Sequence, residues 1–322
     1  MRVLIVGAGS VGQVYGWHLQ QAGVSVHVYV RPKYAEEARA GFVLYPPGTH
    51  RPTRWKPDGV LTSPAEVAAA HEEQPWDQVW LCIASTALRG DWLGEILSAA
   101  KGATLVSMLP GLRDRDLLTP LVPPERLVIG LISFSSWHAP LGAEPLPEPG
   151  MAWWHPPLSS NLFEGPASAV NPIVAALKKG GCPAAPGAAT AMASRGSSFL
   201  LTAVAAMECA GWSFAGLRQA RWATLAAAAG QEALTISTTH LGIPPGPLKW
   251  LVSPAVLRLV TRIAPLVAPM DIEAFLRAHF SKVGDQTLLA FDTWIAEGRT
   301  RSLPVTALTT LAAELRQVRG AP

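Results

Sequence analysis

The hydrophobic pattern changes period twice near the start of the chain. Residues 2–6 (RVLIV) are a short apolar, β-branched run, as expected of a strand covered on both faces. Residues 10–21 follow with apolar positions at helical spacing. Ala22-Gly23 closes that stretch, glycine being the usual residue just past a helix. Residues 24–30 (VSVHVYV) then alternate as a second strand. Strand, helix and strand in about 30 residues make the smallest unit that pairs two parallel strands through a crossover.

Further along, 78–84 (QVWLCIA), 103–109 (ATLVSML) and 127–132 (LVIGLI) are near-continuous apolar runs, which predict parallel strands with helices on both faces. The shorter runs 42–45 and 60–62 are strand candidates, and 91–100 reads as a helix. Residues 151–155 and 161–164 read as a later antiparallel pair. Near residue 166 the composition shifts. Beyond 171 strand signals fade and Ala-rich helical stretches take over, at 173–179, 188–209, 217–241, 254–263, 272–297 and 305–318. Pro- and Gly-rich breaks such as 242–247 (GIPPGP) separate them. The expected organisation is an α/β domain over 1–168 and an all-α domain over 169–322. The proline-rich 140–150 (PLGAEPLPEPG) reads as a surface loop.

Composition narrows the function classes. The 322 residues are 49% hydrophobic and 15% charged, which suits two folded domains and argues against disorder. A net charge of +3 without a basic cluster gives no support for a nucleic-acid partner. Three cysteines (Cys82, Cys182, Cys209) show no CxxC spacing and leave an odd count. The expectation is a reducing, cytoplasmic setting with neither a disulfide framework nor a metal site. The opening MRVLIVGAGS lacks the apolar core of a secretory leader. The long apolar stretch 251–270 is interrupted by Arg258, Arg262, Pro254, Pro265 and Pro269, so no membrane span is expected.

The turn between the first strand and the first helix reads Gly7-Ala8-Gly9-Ser10-Val11-Gly12. A Gly-x-Gly-x-x-Gly is informative in this context. Gly7 permits the tight turn, Gly9 lets the backbone approach a pyrophosphate, and Gly12 lets helix and strand pack closely. The freed N–H groups and the positive helix end then bind the anion. The second strand ends in Val30-Arg31-Pro32-Lys33, with no acid before Glu36. An acid there would hold a ribose 2′-hydroxyl and repel a 2′-phosphate. Arg31 can instead clamp a 2′-phosphate, with Lys33 as a second positive charge. The pattern points to NADP(H) over NAD(H). The plainer reading of Arg31 is a solvated side chain at a strand end.

The N-terminal fingerprint, the arginine closing the second strand and the all-α second half together resemble the ketopantoate reductase family over nearly the whole chain. Leu109-Pro110-Gly111, Trp137-His138-Ala139 and the stretch 149–155 are further local matches. The resemblance implies an N-terminal Rossmann-type doubly wound sheet and an all-α C-terminal domain like that of 6-phosphogluconate dehydrogenase. It also implies NADPH-dependent reduction of a 2-keto acid in the cleft between them, with Ser85 and Pro110 beside the cofactor at the ends of the next strands. Several of the family's positions differ here. Its lysine after the strand ending in Ile83-Ala84-Ser85 is absent, and its Asn-Gly is Pro110-Gly111. Its Lys-x-x-x-Asn-x-x-x-Asn helix, whose lysine is the proton donor, falls on Ser194, Ser198 and Thr202, with Arg195 one residue off that face. Its C-terminal Ser-Ser-Met and Thr-Glu signatures are missing, and Ser302 stands roughly where the acid would fall. Fold and cofactor carry over; ketopantoate as substrate does not.

Hydride transfer to C=O or C=N leaves negative charge that a positioned donor must neutralise. Ser194, Ser198 and Thr202 share one face of an otherwise apolar helix, but such hydroxyls equally bond back to helix carbonyls. In 279–286 (HFSKVGDQ), His279, Lys282 and Gln286 share a helical face. Lys282, with its pKa lowered by burial, could donate the proton; alternatively it pairs with Asp285 on a solvated face. His138, in 133–138 (SFSSWH) past a strand's carboxyl end, could polarise a substrate, although a loop histidine bonded to backbone is the simpler reading. Glu208 and Asp292, on apolar helices, read as paired rather than catalytic. The 12 tryptophans read as core by default, yet Trp137, Trp153, Trp154, Trp212 and Trp294 would also suit an apolar or aromatic substrate.

The leading expectation is an NADPH-dependent reductase of a keto acid or a less polar ketone, acting on a small molecule. Lys282, His279, Ser194 and Ser198 are its catalytic candidates. A non-catalytic NADPH-binding sensor or assembly protein and an imine- or opine-type dehydrogenase are the alternatives. The apolar helices suggest a homodimer.

Overall fold

The apolar run at the N-terminus becomes β1 (Arg2–Val6), buried at every position as a strand covered on both faces must be. The computed structural model describes residues 1–88, 90–109, 111–142 and 145–320. It divides into two units, one of Met1–Leu109 with Asp114–Thr190, the other of Pro110–Arg113 with Ala191–Pro322.

In the first unit, α1 (Ser10–Gln21) crosses over to β2 (Ser25–Tyr29), which pairs parallel to β1 with Val3 opposite Val26. The chain continues through α2 (Ala35–Ala40), β3 (Phe42–Tyr45), β4 (Thr53–Trp55), β5 (Gly59–Leu61), α3 (Pro64–Glu73) and β6 (Gln78–Leu81). Then come α4 (Trp92–Ala99), β7 (Thr104–Ser107), α5 (Asp114–Leu118), β8 (Leu127–Leu131), β9 (Ser135–Ala139), β10 (Gly150–Trp154), β11 (Asn161–Glu164), α6 (Ala167–Lys179) and β12 (Ala184–Pro186). The main sheet has the order β12-β11-β8-β7-β6-β1-β2-β5. From β5 to β8 all neighbours are parallel, and the order reverses between β1 and β6. Alternate residues of β1 feed two cores. Val3 and Ile5 pack with Tyr15 and Trp80 on one face, while Leu4 and Val6 pack with Val67, Leu93 and Ile96 on the other. A smaller sheet has the order β4-β3-β10-β9.

Three departures from the sequence reading have physical causes. The strands at 151–155 and 161–164 both form but do not pair with each other. β10 lies between β9 and β3, and β11 is antiparallel to β8. Apolar alternation marks a strand without naming its partner. The stretch 135–139 is strand β9, whose Ser-Ser-Trp-His composition hides it. Finally, β12 adds a strand parallel to β11 after α6, so the first unit reaches Thr190 rather than 168.

The second unit contains α7 (Ala189–Cys209) from Ala191 onward, α8 (Phe214–Leu217), α9 (Ala220–Leu241), α10 (Leu248–Leu251), α11 (Pro254–Val267), α12 (Ile272–Lys282), α13 (Gly284–Thr300) and α14 (Thr306–Arg319). α9 is central and packs on α11, α13 and α14. Its buried Ala223, Ala226, Ala229 and Ala233 allow close approach. The stretch 272–297, read as one helix, is two. α12 stops at Lys282, and the Arg319 guanidinium takes the space beside Gly284, donating to its carbonyl oxygen at 2.8 Å. Among the described residues, no helix is long and apolar enough to cross a membrane.

Candidate functional site

β1 ends at Val6 and the chain turns through Gly7 at φ +97°, a conformation that favours glycine. A Cβ there would lie 2.7 Å from the Cys82 carbonyl oxygen, so the turn presses on the end of β6, the strand across the reversal of strand order. The Gly7 N–H donates to the Tyr29 carbonyl at 3.0 Å, which ties the turn to the end of β2. At Gly12 a Cβ would lie 2.1 Å from the Gly7 carbonyl oxygen, so no side chain fits.

Gly9 is different. Its φ of −78° and ψ of −167° are open to any residue, and a Cβ would meet none of the described residues within 4 Å. The protein's own packing does not require glycine there. The vacant space lies directly over the start of α1, where a pyrophosphate must approach the backbone. No side chain caps α1 and no acid stands in its first turn. Its leading N–H groups and positive end are therefore available to an anion. Gln13 braces the turn, its N–H donating to the Gly9 carbonyl and its side-chain amide to the Ala8 carbonyl, both at 2.9 Å. Gly9 is exposed and Ser10 and Val11 are half-buried, so the loop opens to solvent. These residues fit a dinucleotide.

Beyond β2, Arg31 and Lys33 bracket Tyr34, with Arg31 Cζ 5.2 Å and Lys33 Nζ 4.8 Å from its ring centroid. Arg31 Nη2 also donates to the Tyr34 hydroxyl at 3.4 Å. The hydrogen bond and charge of Lys33, joined by Arg31, hold the Tyr34 phenol below its ordinary pKa. All three side chains are exposed. Two cations with an aromatic rim, two residues beyond the carbonyl that holds Gly7, can take a phosphomonoester. Sequence reasoning passed over Tyr34, although it directly follows Lys33. Ser85 is buried, and its hydroxyl donates to Asp114 Oδ2 at 2.5 Å, so its bond is made within the protein. Pro110 lies outside the described residues.

In the second unit, Ser194, Ser198 and Thr202 are all buried on α7. The Ser198 hydroxyl donates to the Ser194 carbonyl and the Thr202 hydroxyl to the Ser198 carbonyl, both at 2.8 Å. Of the two readings of this stripe, these residues show the back-bonded one. Ser194 Oγ is buried without a hydrogen-bond partner. His279 lies 5.6 Å from the Phe275 ring and 4.9 Å from the Phe280 ring. Burial, and then the charge of Lys282, hold its pKa below the ordinary value. Lys282 is exposed, contrary to the burial expected of it, because the break after α12 leaves it in a terminal turn. His138 is an exposed residue of β9 opposite Met151. Glu208 and Asp292 are paired as expected, with Arg319 at 2.6 Å and Arg316 at 2.5 Å.

A charge cluster escaped the sequence reading. Buried Glu297 accepts from His240 Nδ1 at 2.8 Å, from Arg301 Nε at 2.5 Å, and from Arg113. The bonds from His240, Arg113 and Arg301 hold its carboxyl down to about 2. Arg301 follows Glu297 at helical spacing and was a legible partner. His240 and Arg113 come from distant segments and were not.

The family model described as ketopantoate reductase PanE/ApbA matches residues 3–140. No curated protein matches the chain in sequence. Solved structures do match over its full length. A PanE/ApbA family ketopantoate reductase from Ralstonia eutropha JMP134 is 18% identical with a TM-score of 0.75, covering 99% of each chain. D-mandelate dehydrogenase, in a ternary structure with NADH and anilino(oxo)acetate, is 14% identical with a TM-score of 0.74, covering 99% of this chain and 98% of the other. A 2-dehydropantoate 2-reductase from Geobacter metallireducens GS-15 is 18% identical with a TM-score of 0.70, covering 98% and 99%. At these identities the likeness shows the fold: a mixed, largely parallel sheet with helices, and an all-helical C-terminal part.

Proposed function

We propose that this chain, which belongs to the ketopantoate reductase family through residues 3–140, is a reductase that delivers hydride from NADPH to a carbonyl carbon. The observation that carries the reading is the vacant space beside Gly9, over an uncapped helix start at the reversal of strand order. The N–H groups of Ser10, Val11 and Gly12 hold the pyrophosphate, with Gly7 and Ala8 shaping the turn. Arg31 and Lys33 hold the 2′-phosphate. When bound, the cofactor supplies the hydride. Lys282 donates the proton that neutralises the developing alkoxide. His279, whose pKa burial and the charge of Lys282 hold below the ordinary value, sits one helical turn from it. In this reading the Ser194 hydroxyl, which is buried with no hydrogen-bond partner among the described residues, hydrogen-bonds the carbonyl oxygen. The substrate is a keto acid or a less polar ketone, since hydroxyls stand where the family's lysine and asparagines would grip a hydroxylated acid.

One observation favours a second reading. Ser198 and Thr202 spend their hydroxyls on their own helix, which suits a protein that binds NADPH without turning it over. Calorimetric titration with NADPH and NADH, followed by single-turnover oxidation across 2-keto acids, aryl ketones and imines, separates the two. Tight NADPH binding with oxidation supports the reductase. Tight binding without turnover supports the sensor. Failure to bind either nucleotide overturns both.

A further inference from the structure

His18 on α1, His155 just after β10, and Cys182 between α6 and β12 converge within the first unit, with one ligand atom from each within 4.8 Å of the others. His18 and Cys182 are 3% and 1% exposed, and His155 is half-buried. His18 Nδ1 lies 2.8 Å from the Gly180 carbonyl oxygen, which can only accept. Nδ1 therefore carries the proton and Nε2 is left as a lone pair. That Nε2, and both ring nitrogens of His155, are buried without a hydrogen-bond partner among the described residues. Three orphaned nitrogens in one place are costly unless something occupies the space between them.

The sulfur is held from behind. Asn161 Nδ2 approaches Cys182 Sγ at 3.4 Å and also donates to the Pro183 carbonyl at 2.8 Å. Asn161 Oδ1 accepts from the Tyr15 hydroxyl at 2.8 Å and the Ser133 N–H at 3.0 Å. A histidine fixed through its far nitrogen and a sulfur fixed by a satisfied amide are what a metal's supporting layer requires. We propose that His18, His155 and Cys182 bind a single soft, monovalent d10 cation, copper(I), through Nε2 of His18, a ring nitrogen of His155 and Sγ of Cys182. Two neutral imidazoles and a thiolate carry one negative charge, which a monovalent cation cancels. A divalent ion would leave a buried positive charge, and among the described residues no Asp or Glu joins the three. The surroundings are aromatic: Trp17 lies 4.7 Å and Trp153 5.7 Å from His18, and Phe134 lies 5.5 Å from His155.

Bonds of about 2.0–2.3 Å in a trigonal site space the ligand atoms by about 3.7 Å, so the three draw in by about 1 Å. His155 breaks no hydrogen bond in doing so. On binding, Cys182 loses its thiol proton to water and three coordinate bonds form; nothing is oxidised or reduced. Burial pushes the Cys182 thiol up to about 12 and holds His18 down to about 4, so without a cation both groups are neutral.

The test is anaerobic competition for copper(I) between the full chain and a chromophoric copper(I) chelator, with X-ray absorption on the loaded protein. The proposal expects one equivalent bound, a first shell of one sulfur and two nitrogens, and a raised thermal midpoint. Cys182→Ser and His155→Ala should each weaken binding at least about tenfold, while Cys209→Ser leaves it unchanged. Sub-stoichiometric uptake, a shell of another composition, undiminished binding in Cys182→Ser or His155→Ala, or a preference for zinc(II) would each overturn it. The wild-type absorption data decide the matter even if a variant fails to fold.

Discussion

Gly9 and Gly12 belong to the same turn, yet the structure assigns them opposite sensitivities. A methyl at residue 9 meets no atom of the described residues within 4 Å, and the local φ of −78° is ordinary. Gly9→Ala should therefore change stability by no more than about 1 kcal/mol. The same methyl would stand where a pyrophosphate approaches the first turn of α1. Losing two charge-assisted N–H bonds there removes about 3 kcal/mol, roughly a hundredfold in Kd. At residue 12 the methyl would sit 2.1 Å from the Gly7 carbonyl oxygen, a backbone atom that cannot rotate away. Gly12→Ala should destabilise by about 3 kcal/mol, lowering Tm by about 6–12 °C. Thermal unfolding without ligand measures the first quantity, and calorimetric titration with NADPH the second. The expected pattern is a stable, non-binding Gly9→Ala protein and an unstable Gly12→Ala protein. Gly9→Ala binding NADPH within about threefold of wild type would refute the assignment of that space to the cofactor.

Arg31→Ala should weaken NADPH by about 10–100-fold, the worth of a charge-assisted phosphate contact, and leave NADH nearly unchanged; equal losses in paired titrations would remove Arg31 from the 2′-phosphate. Lys282→Ala should slow single-turnover hydride transfer by about a hundredfold or more with cofactor affinity unaltered, and a wild-type rate would pass the role to His138. Glu297 gives a pH prediction. Its carboxyl, held at about 2 against an ordinary 4.5, stabilises the fold fully above pH 4.5 and loses that contribution as pH falls toward 2. The full difference is about 3 kcal/mol, which screening at the half-exposed Arg113 and Arg301 side chains reduces to about 1–2 kcal/mol. Glu297→Gln should flatten the stability curve between those pH values in urea titrations, and an unchanged slope would contradict the cluster's role.

The glycine turn between β1 and α1 was legible in the sequence because its requirements are local. A strand, a tight turn and a helix start are set by neighbouring residues, and Gly7, Gly9 and Gly12 stand at fixed offsets. The helical second unit was legible for the same reason, through Ala-rich periodicity. What was hidden depends on separations the pattern does not encode. Tyr15 bonds to Asn161 across 146 positions, and Arg113 reaches Glu297 across 184. β10 chose β3 and β9 as partners, and a composition of Ser, Trp and His gave no strand signal for β9. The expectation of no metal site rested on cysteine spacing. It had no means of bringing His18 and His155 to Cys182.

The contrast between the two units bears on where a proton donor must stand. Phosphate binding at a helix start uses backbone N–H groups, so it tolerates change in every side chain except those glycine excludes. Proton donation uses side-chain reach. In the proposed correspondence, serine and threonine of α7 stand where the family has long lysine and asparagine side chains, and their oxygen sits one bond beyond Cβ. Ser198 and Thr202 turn that oxygen back to the preceding turn. A hydroxyl engaged this way cannot also donate to a ligand without leaving a buried helix contact. Any donor that replaces the family's lysine therefore has to be long, reachable and carried by a different element. Lys282, long and exposed at the end of α12, is therefore the proposed donor, and the proposed part of Ser194 is limited to orienting the carbonyl, since its hydroxyl is short and a weak acid toward an alkoxide.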